Sequence, residues 1–102
     1  MDIANISGIG EFTVKTEKND DKERKIYFAG EKAFLIENKN TIELRCDGKL
    51  GKFLREKYES VMESRYFGRG GIEIVTSGQL SAEEVDDLIR LSYNLTTDSI
   101  KK

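Results

Sequence analysis

A chain of 102 residues, 37% hydrophobic and 35% charged with a net charge of −2, reads as one soluble domain with room for a single modest core. It has no His and only one Cys, which excludes His-based triads, imidazole metal ligands, an internal disulfide and a thiolate zinc cage. No apolar run approaches the roughly 20 residues of a membrane span, and the start Met1-Asp2-Ile3-Ala4-Asn5 lacks the basic and apolar regions of a signal peptide, so a cytoplasmic protein without membrane contact is expected.

Residues 1–9 read as an irregular arm with one helical turn at Ile3 and Ile6. Alternation begins at Gly10: Phe12 and Val14 point one way, Thr13 and Lys15 the other, which is the period of a half-buried strand. Lys18 to Glu23 is a polar loop. A second strand spans about Arg24–Ala29, with Ile26 and Phe28 on one face, and Gly30-Glu31 turns into a third at Lys32–Glu37. In that third strand Ala33-Phe34-Leu35-Ile36 is apolar on both faces, as suits a central strand covered on both sides. Asn38-Lys39-Asn40 is the next turn, on the tolerance of Asn for left-handed backbone. The fourth strand, Thr41–Cys46, points Ile42, Leu44 and Cys46 inward and Glu43 and Arg45 outward.

The period then changes from two to between three and four. Asp47 is a candidate N-cap, and Leu50, Phe53, Leu54 and Tyr58 follow at helical spacing, with Lys57 inside the apolar arc. Val61–Phe67 reads as a fifth strand, Gly68-Arg69-Gly70-Gly71 as a hairpin loop that needs positive φ, and Ile72–Val75 as a sixth strand. Ser81-Ala82-Glu83-Glu84 is a capping box with Leu80 and Val85 at the staple positions. The helix that follows carries Val85, Leu88, Ile89, Ser92 and Leu95 on one face and fades into a frayed tail, residues 97–102. The order ββββαββα predicts an α+β domain over residues 10–96, an antiparallel sheet of about six strands with two helices packed on one face.

Few constellations carry chemistry. Cap and dipole roles explain the acidic cluster Glu83, Glu84, Asp86 and Asp87, and no metal site or cofactor is expected. Cys46 at an inward strand position is a small packing residue, and Ser and Cys lack their usual His base, so no catalytic residue and no enzyme are expected. Charge is uneven along the chain. Residues 45–69 hold seven basic groups (Arg45, Lys49, Lys52, Arg55, Lys57, Arg65, Arg69) and four acidic ones (Asp47, Glu56, Glu59, Glu63), a balance of +3. Residues 70–100 hold Arg90 and six acidic groups, a balance of −5. Arg65 and Arg69 with Tyr66 and Phe67 combine guanidinium groups with rings, a mixture found where proteins meet nucleic acid or a partner surface.

Arg45-Cys46-Asp47, Leu50 and Phe53-Leu54-Arg55-Glu56-Lys57-Tyr58 together resemble the segment that leaves the sheet in MmcQ/YjbR-like proteins. Gly78-Gln79-Leu80-Ser81, Glu84-Val85-Asp86-Asp87-Leu88-Ile89 and Leu91-Ser92-Tyr93-Asn94-Leu95 are similar to that family's ending, and Gly30 to Ile36 to its glycine-lysine hairpin. The resemblance covers about residues 24–96. It implies a CyaY-like fold and a small bacterial protein of a kind often described as DNA-binding. The family's leading helix and its His and Trp near the fifth and sixth strands have no counterpart here. The expected function is a non-enzymatic domain that contacts DNA through Arg65, Arg69, Lys49, Lys52 and Arg55, with Tyr66 or Phe67 stacking on a base. The alternative is a protein–protein interaction module, or a homodimer, formed through an exposed strand edge.

Overall fold

The computed structural model describes residues 3–100, without the side chains of residues 19, 99 and 100; the ends of the expected arm and tail, residues 1–2 and 101–102, lie outside it. After a 3-10 turn at Ile3–Asn5, four strands follow: β1 (Thr13–Asn19), β2 (Lys22–Ala29), β3 (Lys32–Glu37) and β4 (Thr41–Arg45). Helix α1 (Gly48–Lys57), strands β5 (Val61–Ser64) and β6 (Gly68–Val75), and helix α2 (Ala82–Ile100) complete the chain. The strands form one antiparallel sheet in the order β1-β2-β3-β4-β6-β5. This is the expected α+β arrangement. α2 lies over β3 and β4, and α1 over β5 and β6.

The core between sheet and helices contains Ile42, Leu44, Ile72 and Ile74, none with exposed surface, together with Leu54, Val61, Leu80 and Ile89. Leu88 packs at its border. The first turn also joins it, since Ile3 and Ile6 are both buried there. Phe34 supplies the centre. A register shift in the β2–β3 pairing sets Ala33 opposite Phe28 and Leu35 opposite Tyr27, which leaves Phe34 as the extra residue of a bulge. Phe34 and Leu35 therefore both enter the helix-side core, while Ala33 and Ile36 face the other way. The apolar run thus serves two layers. Ser92 of α2 fixes the helix to this bulge: its hydroxyl donates to the Phe34 carbonyl at 2.5 Å and accepts the Arg45 amide at 2.8 Å.

Both expected helix starts are present. The Asp47 side chain accepts the Lys49 amide at 2.8 Å. Ser81 and Glu84 exchange reciprocal bonds at 3.0 and 3.1 Å, and the two bonds that the Ser81 amide and hydroxyl make hold the Glu84 carboxyl below its usual range. Several boundaries differ from the sequence reading. The expected polar loop at Lys18–Glu23 is mostly strand, because Asp20 adopts a left-handed φ of 55° and a two-residue turn, Asp20-Asp21, closes the hairpin. Val14 is exposed, since among the described residues neither helix packs closely on β1. Phe53 is 54% exposed; Leu50, Gly51 and Leu54 make the packed stripe of α1, and the Lys57 ammonium lies 5.5 Å from the Phe53 ring centre and 5.3 Å from that of Tyr58. On α2, buried Thr96 takes the inward place expected of Leu95, its hydroxyl satisfied by the Ser92 carbonyl, and the helix runs on to Ile100. The turn at residues 38–40 forms without left-handed backbone: the Asn38 amide donates to the Thr41 carbonyl at 2.9 Å.

Candidate nucleic-acid interface

The face of the sheet away from the helices is built rather than bare. Ile26, Ala33 and Ile36 form a second apolar cluster, nearly or wholly buried, with Phe28 and Phe67 packed against it. Phe67 arrives from the turn after β5, not from a strand. Val61–Phe67 is therefore not one continuous fifth strand: β5 ends at Ser64, and residues 65–67 fold back over the sheet. The glycines expected to form a loop instead open β6, with Gly68 at φ 62° making the reversal. A side chain at Gly71 has no room. Its Cβ would stand 2.5 Å from the Leu44 carbonyl oxygen and 2.6 Å from the Phe67 Cβ, so glycine lets the Phe67 ring lie flat on the sheet.

Two buried carboxylates hold that turn. Glu43 on β4 and Glu73 on β6 sit directly opposite each other, 2% and 4% exposed. The expected outward direction of Glu43 is correct for the strand but does not lead to solvent, because the turn covers it. Glu43 accepts the Tyr66 amide (2.8 Å) and the Ser64 hydroxyl (2.9 Å) on one oxygen and the Asn38 side-chain amide (2.9 Å) on the other. The same Ser64 hydroxyl accepts the Phe67 amide at 2.9 Å. Glu73 accepts both forks of Arg65 at 2.9 and 2.8 Å and the Thr41 hydroxyl at 2.7 Å. Burial pushes the Glu73 carboxyl up, but the bonds from Arg65 and Thr41 and the Arg65 charge outweigh it and leave the group below its usual range. These partners let two like charges share one strand pair. Among the described residues no buried side-chain nitrogen or oxygen lacks a partner.

The turn presents an aromatic and cationic surface. The Tyr66 and Phe67 rings meet edge to face at 5.0 Å. The Arg45 guanidinium stacks 4.8 Å from the Phe67 centre and donates to the Ala33 carbonyl at 2.7 Å. The Arg24 guanidinium lies 5.6 Å from the Tyr66 centre and forks onto Glu17 at 2.9 and 2.7 Å. Tyr66 is the outermost ring, 43% exposed. Strand alternation and the Arg65 contact place Lys15, Lys22, Arg24, Arg45 and Arg65 on this face, against Glu17, Glu43 and Glu73. That is five cations against three carboxylates, in a chain whose total is −2. Positive charge is thus concentrated on the helix-free face.

The seven residues expected at a nucleic-acid surface divide into groups. Arg65, Tyr66 and Phe67 lie together on the helix-free face, and Arg69 is exposed just after them at the start of β6. Lys49, Lys52 and Arg55 belong to α1, which covers the opposite face of the sheet, so no single flat surface contains them all. Arg24 and Arg45 were absent from the expected set. Their signal was alternation with Ile26 and Glu43 across strands, which becomes readable only once the pairing is known.

Other reactive groups are spent on packing. Cys46 is buried, and burial first and the Asp47 charge second push its thiol up, with Arg55 opposing. The Tyr27 hydroxyl is raised by burial and by donating to Glu37 at 2.7 Å. Among the described residues no three acidic or Cys side chains converge as metal ligands, and no helix is long and apolar enough to cross a membrane. No family model, no curated protein and no solved structure matches the chain.

Proposed function

We propose that the protein is a small non-enzymatic binding domain of MmcQ/YjbR-like kind that engages single-stranded DNA with the helix-free face of its sheet. The observation that supports this reading most is the exposed Tyr66 ring, held by its own amide bond to buried Glu43, with the Arg24 guanidinium 5.6 Å from its centre and Arg65 next to it in the chain. A base has a π-face to offer such a ring whatever its sequence, and arginines beside it meet the backbone phosphates. Phe67 is the floor of the platform rather than a stacking partner, because its ring packs against the Ile26, Ala33 and Ile36 cluster while Tyr66 is 43% exposed. Arg69 extends the cationic rim. The α1 cations are outside the contact in this reading. The near-neutral total charge suits a local footprint of a few phosphates and not a general polyanion binder.

Fluorescence anisotropy of a labelled 12-nucleotide DNA strand at low salt tests this. Tyr66→Ala is expected to weaken binding about tenfold, the scale of one lost base stack. Arg69→Glu should weaken it and flatten the salt dependence. Absence of binding at low salt, or an affinity indifferent to both substitutions in folded variants, overturns the reading.

A further inference from the structure

The sheet has two edges, and they differ. β5 is four residues long and ends in the turn that folds onto the sheet. β1 is seven residues long, has only β2 as a neighbour among the described residues, and projects past the helix layer. From its side chains and register we infer that β1 is a homodimer edge, pairing antiparallel with β1 of a second copy about a two-fold axis at Thr16.

The backbone sets which centres are possible. A two-residue turn closes the β1–β2 hairpin on the pair Asn19 and Lys22. Such a turn is closed by a hydrogen-bonded pair, and bonded and non-bonded pairs then alternate along the ladder. Residues 13, 15, 17 and 19 therefore spend their amides and carbonyls on β2, and those of Val14, Thr16 and Lys18 point to the vacant edge. A symmetric partner must set these three against one another, so the axis falls on a residue and not between two. Centring on Lys15 or Glu17 would set a like charge opposite itself at a non-bonded position, where side chains approach most closely. Centring on Val14 or Lys18 leaves about half the strand unpaired, and Lys18 would also face its own copy. Centring on Thr16 matches all seven residues: Thr16 with Thr16, Val14 with Lys18, Lys15 with Glu17 and Thr13 with Asn19 of the other copy.

Charge selects the same register. In the Thr16-centred pairing each Lys15 stands opposite a Glu17, twice over by symmetry, at a non-bonded position where side chains approach most closely. Glu17 is ready for this contact. Arg24 occupies one of its oxygens at 2.7 Å, while its other oxygen has only the distant Lys15 of its own chain, at 3.8 Å. Lysines on an edge strand ordinarily block pairing. Here the alternation Lys15, Thr16, Glu17 neutralises them against a second copy in one register and leaves like charges opposed in a parallel pairing. On the other face the Val14 side chain, 46% exposed, would lie against the aliphatic stem of Lys18. The axis stands perpendicular to the sheet, so the pairing makes one twelve-stranded sheet with both Tyr66 surfaces on the same side.

Sedimentation of the full chain across about 10–500 μM in low salt tests the inference, at the concentrations where small interfaces associate. The wild type is expected to pass from monomer to dimer. Lys15→Glu and Glu17→Lys should each weaken self-association about tenfold or more, by setting like charges opposite each other. An equimolar mixture of the two variants should recover a dimer, since each then supplies the charge the other lacks. Thr16→Pro removes an outward amide without touching a β2 bond and should leave a folded monomer, checked by its far-ultraviolet spectrum. A wild type that stays monomeric throughout, a mixture that does not recover, or a Thr16→Pro protein that still dimerises overturns it.

Discussion

Replacing Glu43 by Ala removes the acceptor of three hydrogen bonds at a position 2% exposed. Bonds to a charged group contribute about 1.5–3 kcal/mol each, and stranded buried donors cost about 1–3 kcal/mol. Two effects offset part of the sum. Deleting this charge relieves Glu73 directly across the strands, and water can reach the Tyr66 amide beside a half-exposed ring. The net loss is about 3 kcal/mol, or about 15 °C in Tm for a domain of this size. Glu43→Gln keeps an oxygen for Ser64 and Tyr66 but turns an NH2 toward the Asn38 side-chain amide, which is already a donor to Thr41 at 3.0 Å. Its cost should be smaller, about 1–1.5 kcal/mol. Urea unfolding followed by circular dichroism measures both. Glu43→Ala should also release the Tyr66–Phe67 turn, so its DNA affinity should fall at temperatures where the sheet is still folded. A loss below about 0.5 kcal/mol would show that the carboxylate does not hold the turn, and the reasoning would fail.

Gly71→Ala should cost about 2–4 kcal/mol in the same assay, because the added methyl meets the Leu44 carbonyl at 2.5 Å and the strand must shift. The depressed Glu73 carboxyl ties stability to pH: its contribution is complete above the unfolded value near 4.5 and is lost as the pH falls through the lower folded value. Arg65→Met leaves burial as the dominant influence on that carboxyl, so the acid side of a urea-midpoint profile between pH 2.5 and 7 should move to higher pH; an unchanged profile would deny the pair any energetic role. Losing its cation strands a buried carboxylate, but the Arg65 side chain is 73% exposed and its charge screened, so the cost at neutral pH should be about 1–3 kcal/mol. Cys46, buried and with its thiol raised, should react with a disulfide reagent at pH 8 only as fast as the domain opens, and at once in urea. Rapid native labelling would contradict its packing.

The helix-side layer was legible in the sequence because its signals are local. Ile42 and Leu44 alternate, Ile72 and Ile74 repeat the pattern, and the Ser81–Glu84 box announces α2 within four residues. The apolar run Ala33 to Ile36 also pointed correctly to a strand covered on both sides. What lies on its far side is not readable, because the cover comes in part from Phe67, some thirty residues further along the chain. A glycine-rich stretch is a poor strand by propensity, so alternation alone starts β6 at Ile72; the need for Gly71 is set by a ring that packs on it. Glu43 looked like a solvent-facing residue by alternation alone. Its burial depends on Asn38, Ser64 and the Tyr66 amide arriving from two other segments. Likewise, residues 45–69 are a basic stretch along the chain, but their division between the two faces of the sheet follows from α1 crossing to the helix layer.

The most direct test is amide hydrogen exchange at residues 65–67, measured by NMR against the exposed turn Asp20-Asp21. If the turn is clamped over the sheet by Glu43 and Ser64, the Tyr66 and Phe67 amides should exchange at least a hundredfold more slowly than those of Asp20 and Asp21, and Glu43→Ala should remove most of that protection. Exchange of Tyr66 and Phe67 at the rate of the Asp20-Asp21 turn would mean that the helix-free face is open and that no fixed platform stands on it.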